Sequence, residues 1–345
     1  MKHGRKSLWS LAAAAVLAAC LTANPGTLDA QTLYASDYQN TPRIAYQGKL
    51  YTIVRGAVYE IQGPLMQFVQ QYYDPNYYGK YYQPYGDVIY RVVDASTRFP
   101  VRYSMADSFE NANTIRDIVT PARGFTSITL QSPLAPTVAQ YVALRHDILL
   151  LGGNFLDNRI EPSSAQVHSG SRSLHAYAVA PNAYMNFNGY VSKASLESEL
   201  MHFKQGDELW FSGWFYIAQG TPRGIVDFET SYVPEYPGLR ILLDDTLHPR
   251  VELKWATKPT YMAVAGAALP VRKWVNLVLH AHLSDGADGR VELWMDGRQI
   301  ISGVGPTLPV SDMLYDRLEI GITANEAGTA EVYVDDIIVD KQPLF

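Results

Sequence analysis

The fold is decided by residues 274–297, which read WVNLVLHAHLSDGADGRVELWMDG. Two runs of alternating apolar and polar residues flank a turn rich in glycine and aspartate, as in a pair of neighbouring strands. Successive side chains of a β-strand point to opposite faces. One face of this pair therefore carries aliphatic residues: Leu277, Leu279, Leu283, Val291, Leu293 and Met295. The other face carries mainly polar groups and a flat ring: Asn276, His280, His282, Arg290, Glu292 and Trp294.

The same division recurs in other segments between residues 209 and 255. An apolar side formed by Leu209, Phe211, Phe215 and Ile217 opposes Trp210, Trp214 and Tyr216, and two more runs oppose aliphatic residues to Arg240 and Lys254. Short runs separated by turns, each with one apolar face, are typical of two packed β-sheets. The fold class predicted is all-β, a two-sheet sandwich. One short helix is predicted over Thr137–Leu150, where apolar residues follow the helical period and Gly152-Gly153 follows.

A family resemblance covers about 240 residues as an order of elements. The segment Trp274 to Gly297 and the closing Tyr333-Val334-Asp335-Asp336-Ile337 resemble the concanavalin-type jelly roll of bacterial polysaccharide lyases of the heparin, glucuronan and alginate type. Ser108-Phe109-Glu110 and the strand at His168–Leu174 resemble elements that open such domains. The resemblance implies a jelly-roll sandwich and activity on uronate-containing, acidic polysaccharide. Lectin-like binding domains share several of these motifs, so a non-catalytic carbohydrate-binding or envelope-structural protein is the alternative.

A lyase of this type removes the proton beside a uronate carboxylate, and it needs a cation at that carboxylate and a proton donor at the glycosidic oxygen. His280 or His282 is predicted as the base, Tyr216 or Tyr232 as the donor, and Arg240 or Lys254 as the cation. These catalytic roles assume one shared outer surface. The substrate-binding residues predicted beside them are rings, a cation and two acids: Trp210, Trp214, Trp294, Arg290, Asp227 and Glu229.

The chain departs from the family pattern at two strands. Glu197-Ser198-Glu199-Leu200 stands where the family often has Arg-x-Glu-Leu, and Asp227-Phe228-Glu229 stands where a Gln-x-His pair is expected. Two carboxylates on one face of a strand also raise a glycoside hydrolase as a rival, since their backbones lie about 7 Å apart. If the protein is an enzyme, a lyase is favoured over a hydrolase.

No cofactor is required for the predicted chemistry, but a structural calcium ion is predicted. The first and last strands of a jelly roll often pair, which places Asp107 and Glu110 near Asp335 and Asp336. Carboxylate oxygens are the ligands that calcium prefers. His280-Ala281-His282 is the alternative start of a metal site, because residues two apart on a strand point the same way.

The N-terminus predicts an exported lipoprotein. Lys2, Arg5 and Lys6 precede an apolar run that ends at Leu17-Ala18-Ala19-Cys20, which resembles the bacterial lipobox. Cleavage before the only cysteine removes three basic and no acidic residues, which changes the net charge from -6 to -9. Nucleic-acid binding is therefore not expected. A lipid on Cys20 is the predicted membrane contact, in the bacterial cell envelope and specifically the outer membrane.

Four regions follow from this interpretation. Residues 1–19 form the signal peptide, 20–36 a flexible tether, 37–100 a tyrosine-rich small β-module and 101–345 the jelly-roll domain. A hairpin around Arg55-Gly56 is predicted inside the tyrosine-rich module. Together these features predict an anchored protein that engages polysaccharide and cleaves uronate chains by β-elimination.

Overall fold

The structure is a computed structural model of the 345-residue chain. It describes residues 33–34, 43–46, 49–54, 57–71, 82–85, 88–92, 98–131, 158–181, 191–231, 238–254 and 260–345. Cys20, Tyr232 and the predicted helix Thr137–Leu150 lie outside these ranges. Within them, no helix is both long and apolar enough to cross a membrane.

The chain divides into two compact units, residues 1–72 and 73–345. The first contains a five-stranded antiparallel sheet in the order β1-β5-β4-β3-β2. Its strands are β1 Leu33–Tyr34, β2 Arg43–Tyr46, β3 Lys49–Val54, β4 Ala57–Gln62 and β5 Leu65–Gln71. β3 and β4 pair from Val54 and Ala57 outward, which confirms the predicted hairpin. The division falls inside the predicted 37–100 module, and the extents of the predicted regions stay predictions.

The second unit begins with a small antiparallel sheet. Its strands are β6 Tyr82–Tyr85, β7 Val88–Val92 and β8 Arg98–Pro100. After β9, Met105–Asp107, a single helical turn forms α1, Ile115–Ile118. Asp117 accepts the backbone N–H of Thr114 at 2.8 Å and so holds the start of this turn.

Two large antiparallel sheets form the rest of the second unit. The seven-stranded sheet has the order β10-β13-β24-β16-β17-β18-β19 and the eight-stranded sheet the order β11-β12-β25-β15-β20-β21-β22, with β9 also paired to β25. Their bounds are β10 Ser127–Gln131, β11 Arg159–Ser163, β12 Ser173–Ala178, β13 Ser192–Ser198, β15 Glu208–Gln219, β16 Gly224–Glu229, β17 Gly238–Leu243, β18 Pro249–Leu253, β19 Thr260–Met262, β20 Trp274–His282, β21 Arg290–Met295, β22 Arg298–Val304, β24 Arg317–Asn325 and β25 Ala330–Asp340. β14 Phe203–Lys204 and β23 Leu314–Tyr315 form a separate two-stranded sheet.

The hydrophobic core lies between the two large sheets. Phe211, Phe215 and Leu279 of the eight-stranded sheet and Phe228 and Ile241 of the seven-stranded sheet are fully buried in one cluster. Alternation along every strand sends these residues inward and the polar residues between them outward. The predicted all-β two-sheet jelly-roll sandwich is confirmed.

The predicted neighbourhood of the first and last strands is also found. β9 pairs with β25 through Asp107 opposite Ile337, on the eight-stranded sheet. β25 thus lies in the interior of its sheet, bonded on its two sides to β12, β15 and β9.

Truncating a core ring tests where the core lies. Phe228 is fully buried and meets Phe211 edge to face, with ring centroids 5.9 Å apart. Phe228→Ala is expected to lower the free energy of unfolding by about 3–5 kcal/mol, because it leaves a cavity. Urea denaturation measures this loss. The control Ile338→Ala, at an exposed side chain of β25, is expected to cost well under half as much; equal losses would contradict this placement.

Candidate functional site

The predicted site residues lie on two opposite surfaces of the sandwich. The outer side of the eight-stranded sheet, the aromatic face, carries Trp210, Trp214, Tyr216, His280, His282, Arg290 and Trp294. The outer side of the seven-stranded sheet, the charged face, carries Asp227, Glu229 and Arg240, with Lys254 next to the end of β18. The expectation of one shared surface is wrong. Strand alternation tells which side of its strand a residue occupies, but not which sheet the strand joins.

This division separates the predicted catalytic groups. His280 and Tyr216 have the packed core between them and Arg240, and packed sheets are about 10 Å apart. The two sets therefore cannot act together on one sugar. Tyr232, the other predicted donor, lies outside the described residues.

Rings on the aromatic face stack on one another. Trp210 lies parallel to His280 at 4.1 Å and to Trp294 at 5.9 Å between centroids, and only 8% of Trp210 is exposed. Trp214 stacks on His168 at 3.7 Å. Because a sugar needs an uncovered ring face, this packing leaves Trp210 unsuited to the substrate-binding role predicted for it.

Histidines on the aromatic face are held by carboxylates. His280 places Nδ1 2.8 Å from Glu292 and Nε2 2.6 Å from Glu208, and His282 Nδ1 is 2.8 Å from Glu208. A base needs a free ring nitrogen, so the geometry does not favour His280 in that role. Within the described residues, no three histidine, cysteine, aspartate or glutamate side chains form a group that could hold a metal ion.

The charged face carries one row of residues that crosses all seven strands. Cross-strand pairing places the members side by side. The row runs Ser127, Glu197, Glu319, Asp227, Arg240, Glu252 and Thr260. Three adjacent acids repel one another, so cations must lie close by for the sheet to be stable.

Arg317 and Lys254 supply much of this compensation. Arg317 pairs with Glu319, with Glu197 at 2.8 Å and with Glu229 at 3.4 Å. Lys254 Nζ lies 2.5 Å from Glu229 Oε1. The carboxyl groups of Glu229 and Glu319 are almost fully buried. Removing one partner of such a pair leaves a buried charge without compensation, which is strongly destabilising.

Burial and charge shift the pKa values of this network in different directions. Burial raises the pKa of Glu229. Lys254 lowers this pKa, but the neighbouring carboxylates Glu319 and Asp227 raise it further. For Glu319, burial acts in the same sense, but Arg317 and Lys193 outweigh it and lower the pKa. Of these two acids, Glu229 therefore keeps a proton more readily than Glu319.

Asp227 differs from its neighbours on the charged face. It accepts a hydrogen bond from the Thr323 hydroxyl at 3.0 Å and has no ion pair among the described side chains. Directly across the strand pair lies Arg240, which bonds Glu252 through Nε at 3.1 Å and Nη2 at 2.5 Å. Asp227, which has no ion pair among the described side chains, thus stands beside Arg240 on the neighbouring strand.

The predicted calcium ligands are engaged by protein donors. Asp107 pairs with Arg123 at 2.7 Å, and Glu110 accepts the backbone N–H groups of Ser171 and Arg172, each at 2.8 Å. Asp335 accepts the N–H of His168 at 2.9 Å, and Asp336 lies 2.7 Å from the His168 ring. Each of the four carboxylates thus already has a partner in the protein. The calcium prediction is not supported.

The sequence-based site left out the cation Arg317 and the acid Glu319 of β24. The alternation of polar and apolar residues along this segment does predict a strand: Arg317, Glu319, Thr323 and Asn325 alternate with Leu318, Ile320, Ile322 and Ala324. The sequence does not predict that this strand lies in the middle of the charged face. There β24 pairs with β13 and β16, two strands that come about a hundred residues earlier in the chain.

A family model described as polysaccharide lyase matches residues 137–338, more than half of the chain. The chain therefore belongs to the polysaccharide lyase family. The matched range contains most of both large sheets, and with them the charged and aromatic faces. This membership favours a lyase over the rival glycoside hydrolase.

Several solved structures are similar to this chain. An endo-β-1,4-glucuronan lyase from the fungus Trichoderma reesei is 14% identical, with 54% of this chain and 87% of that chain covered and a TM-score of 0.44. The alginate lyase Aly36B is 10% identical, with 71% and 99% covered and a TM-score of 0.43. The alginate lyase vAL-1 from a Chlorella virus is 12% identical, with 57% and 97% covered and a TM-score of 0.37. A search of curated protein sequences found no match.

The carboxyl group of Asp335 gives a pH test of this structure. Burial raises its pKa to about 6, although N–H groups from Ser169 and His168 oppose the rise. A carboxyl whose pKa is raised on folding stabilises the fold below its unfolded pKa of about 3.9 and loses that contribution as pH rises through about 6. Asp335→Asn is therefore expected to gain stability relative to wild type between about pH 4 and about pH 7.

Urea unfolding at both pH values measures this change. The control is Asp312→Asn, at an exposed position. A difference between the Asp335 variant and wild type that stays constant with pH would contradict the raised pKa.

Proposed function

We propose that this protein binds uronate-containing polysaccharide on the charged face and cleaves it by β-elimination. One observation carries the proposal: Arg240 and Asp227 lie side by side on neighbouring strands of that face. Family membership supports the reaction class. The substrate class follows from the chemistry of a guanidinium, which binds a carboxylate through two parallel hydrogen bonds.

Each reaction step has a candidate group on the charged face. Arg240 neutralises the uronate carboxylate, which makes the proton on the adjacent carbon more acidic. Asp227 accepts that proton, and the electron pair left behind forms the carbon–carbon double bond as the glycosidic bond breaks. The substrate carboxylate takes the place of Glu252 on Arg240, and the partly exposed Glu252 side chain turns toward solvent.

Glu229 supplies the proton to the leaving oxygen. Its raised pKa favours the protonated form, and it follows Asp227 by two residues on the same side of β16, about 7 Å along the strand. Lys254, at 2.5 Å, stabilises the carboxylate that remains after the proton has left. This assignment replaces the predicted histidine base with a carboxylate, because the histidines belong to the other sheet.

A non-catalytic carbohydrate-binding protein is the second candidate. The specific observation in its favour is that Arg240, Lys254 and Arg317 are each already paired with a carboxylate of the same face. Acids also stand at Glu197 and Asp227, where the family resemblance predicts a cation and an amide. Such a protein would bind the chain without breaking it.

Ultraviolet absorbance separates the two candidates. Purified protein is mixed with alginate, glucuronan and heparin, and the expected result is growth of the absorbance of an unsaturated uronate with at least one of them. Asp227→Asn and Arg240→Ala are each expected to lower kcat about 100-fold or more, because each removes a group that acts in the transition state. The control Arg298→Ala, at an exposed side chain of the eight-stranded sheet, is expected to leave the rate unchanged.

Two outcomes would contradict the proposal of lyase activity on the charged face. One is saturable binding of a polysaccharide with no unsaturated product, which selects the non-catalytic candidate. The other is cleavage that survives both substitutions on the charged face, which places the reaction elsewhere. Circular dichroism of each variant checks that the fold is retained.

We further propose that the protein is exported and anchored by lipid on Cys20 in the outer membrane of a bacterial envelope. The lipobox-like Leu17-Ala18-Ala19-Cys20 after an apolar run supports this. Two acyl chains give stable anchoring, whereas one holds a protein only marginally.

Metabolic labelling with a radioactive fatty acid in a bacterial host tests the anchor. The wild-type chain is expected to carry label and to sediment with outer membranes, and Cys20→Ser to lose both properties. The sequence offers no second cysteine, so label on the Cys20→Ser chain would contradict thioether attachment at this residue.

A further inference from the structure

Arg250 differs from the other cations named on the charged face. Lys193 lies 3.4 Å from Glu319, Arg240 bonds Glu252, Lys254 bonds Glu229, and Arg317 bonds three acids. Nε and Nη2 of Arg250 are buried and have no hydrogen-bond partner in the protein. No ion pair joins this guanidinium to a carboxylate within the described residues.

The same two nitrogens have a defined task in Arg240. Nε and Nη2 of Arg240 both donate hydrogen bonds to Glu252, so this edge of the guanidinium binds a carboxylate. The edge presents two N–H groups in parallel, which matches the two oxygens of a carboxylate. Arg250 has the corresponding edge on the neighbouring strand β18, on the same outer side.

Buried donors without partners are costly, and most proteins avoid them. Within the described residues, its cross-strand neighbours Leu242 and the exposed Met262 offer no side-chain acceptor, and the nearby Glu252 is already bonded to Arg240. Its fixed place on an inner strand keeps the guanidinium at this point of the face. An anionic ligand is the group that would satisfy both donors together.

The position of Arg250 separates it from the reacting groups. It lies two residues from Glu252 along β18, and β18 is two strands away from Asp227 on β16. Strand spacing and rise place the two backbones about 12 Å apart. This separation is longer than one sugar ring, so Arg250 and Asp227 would contact different sugars of one chain.

We propose that Arg250 is a specificity-determining residue that binds the carboxylate of a uronate next to the one being cleaved. The inference rests on the proposed function, since it takes the charged face as the polysaccharide site. Arg250 selects chains that carry acidic sugars in succession. It takes no part in proton transfer, and its effect is on binding.

The test compares acidic chains with chains of the same backbone whose carboxyl groups have been reduced to hydroxymethyl groups. Calorimetry at fixed ionic strength measures the Kd of oligosaccharides of glucuronan and of its carboxyl-reduced form. Arg250→Ala is expected to weaken binding of the acidic oligosaccharide about 10- to 100-fold. Its binding of the reduced oligosaccharide is expected to equal that of wild type.

Two further variants sharpen the comparison. Arg250→Lys keeps the charge but loses the two-pronged geometry, so it is expected to recover only part of the affinity. Arg298→Ala, on the other sheet, removes one positive charge from the protein and is expected to bind like wild type. For cleavage, Arg250→Ala is expected to raise KM and to leave kcat within about twofold, the pattern of a group that binds substrate and transition state alike.

Stability separates this role from a structural one. Arg250→Ala removes buried donors that have no protein partner, so its Tm is expected to equal or exceed that of wild type. A fall in Tm like that of Phe228→Ala, or equal Kd values of Arg250→Ala and wild type for the acidic oligosaccharide, overturns the inference.

The outcomes also distinguish this inference from the proposed function. If wild type binds the acidic oligosaccharide through Arg250 without forming unsaturated product, the proposal that Arg250 binds a carboxylate is kept and the proposal of lyase activity is rejected. If wild type cleaves and Arg250→Ala has an unchanged KM, the lyase stands and the carboxylate site fails.

Discussion

The arrangement of charge on the outer side of the seven-stranded sheet constrains the rest of the sandwich. Glu197, Glu319 and Asp227 stand next to one another on three strands, and the inner side of the same strands is apolar. No acid can turn inward to escape its neighbours without entering the core. Arg317 therefore pairs with two of them, Glu197 and Glu319, and also with Glu229. The register of β13, β24 and β16 is fixed by this set of ion pairs as well as by the core, since a slip of one residue would exchange both sides.

The proposed function gives this network a role beyond stability. Cations that already hold a carboxylate can exchange it for another, and a polysaccharide with regularly spaced acids offers many. Asp227 and Glu229 lie on one strand in unlike surroundings, since Asp227 accepts the Thr323 hydroxyl and Glu229 bonds Lys254. The aromatic face has the opposite character. Trp210 stacks on His280 there, and His280 is bonded to Glu208 and Glu292.

The sequence predicts the strands themselves better than it predicts which strands pair with one another. Period-two alternation is local, so the inward set around Phe211 and Leu279 and the hairpin before Ala57 could be predicted. Sheet membership depends on pairings between distant segments. Trp214 and Asp227 are close in sequence, yet β15 pairs with β20 and β25 while β16 pairs with β17 and β24. No local pattern records that crossing from one sheet to the other, and the predicted site joined residues from both. Arg250 escaped notice because its significance lies in partners it lacks.

The position of β25 has a consequence for how this domain is made. The strand nearest the C-terminus fills the middle of the eight-stranded sheet, where β12 and β15 would otherwise have no common neighbour. That sheet can close only after β25 has been synthesised, and loss of this strand would divide the sheet into two parts. During synthesis the earlier strands present unpaired edges and apolar sides, which is a state that chaperones recognise. The order of the strands thus delays closure of this sheet until β25 has been made.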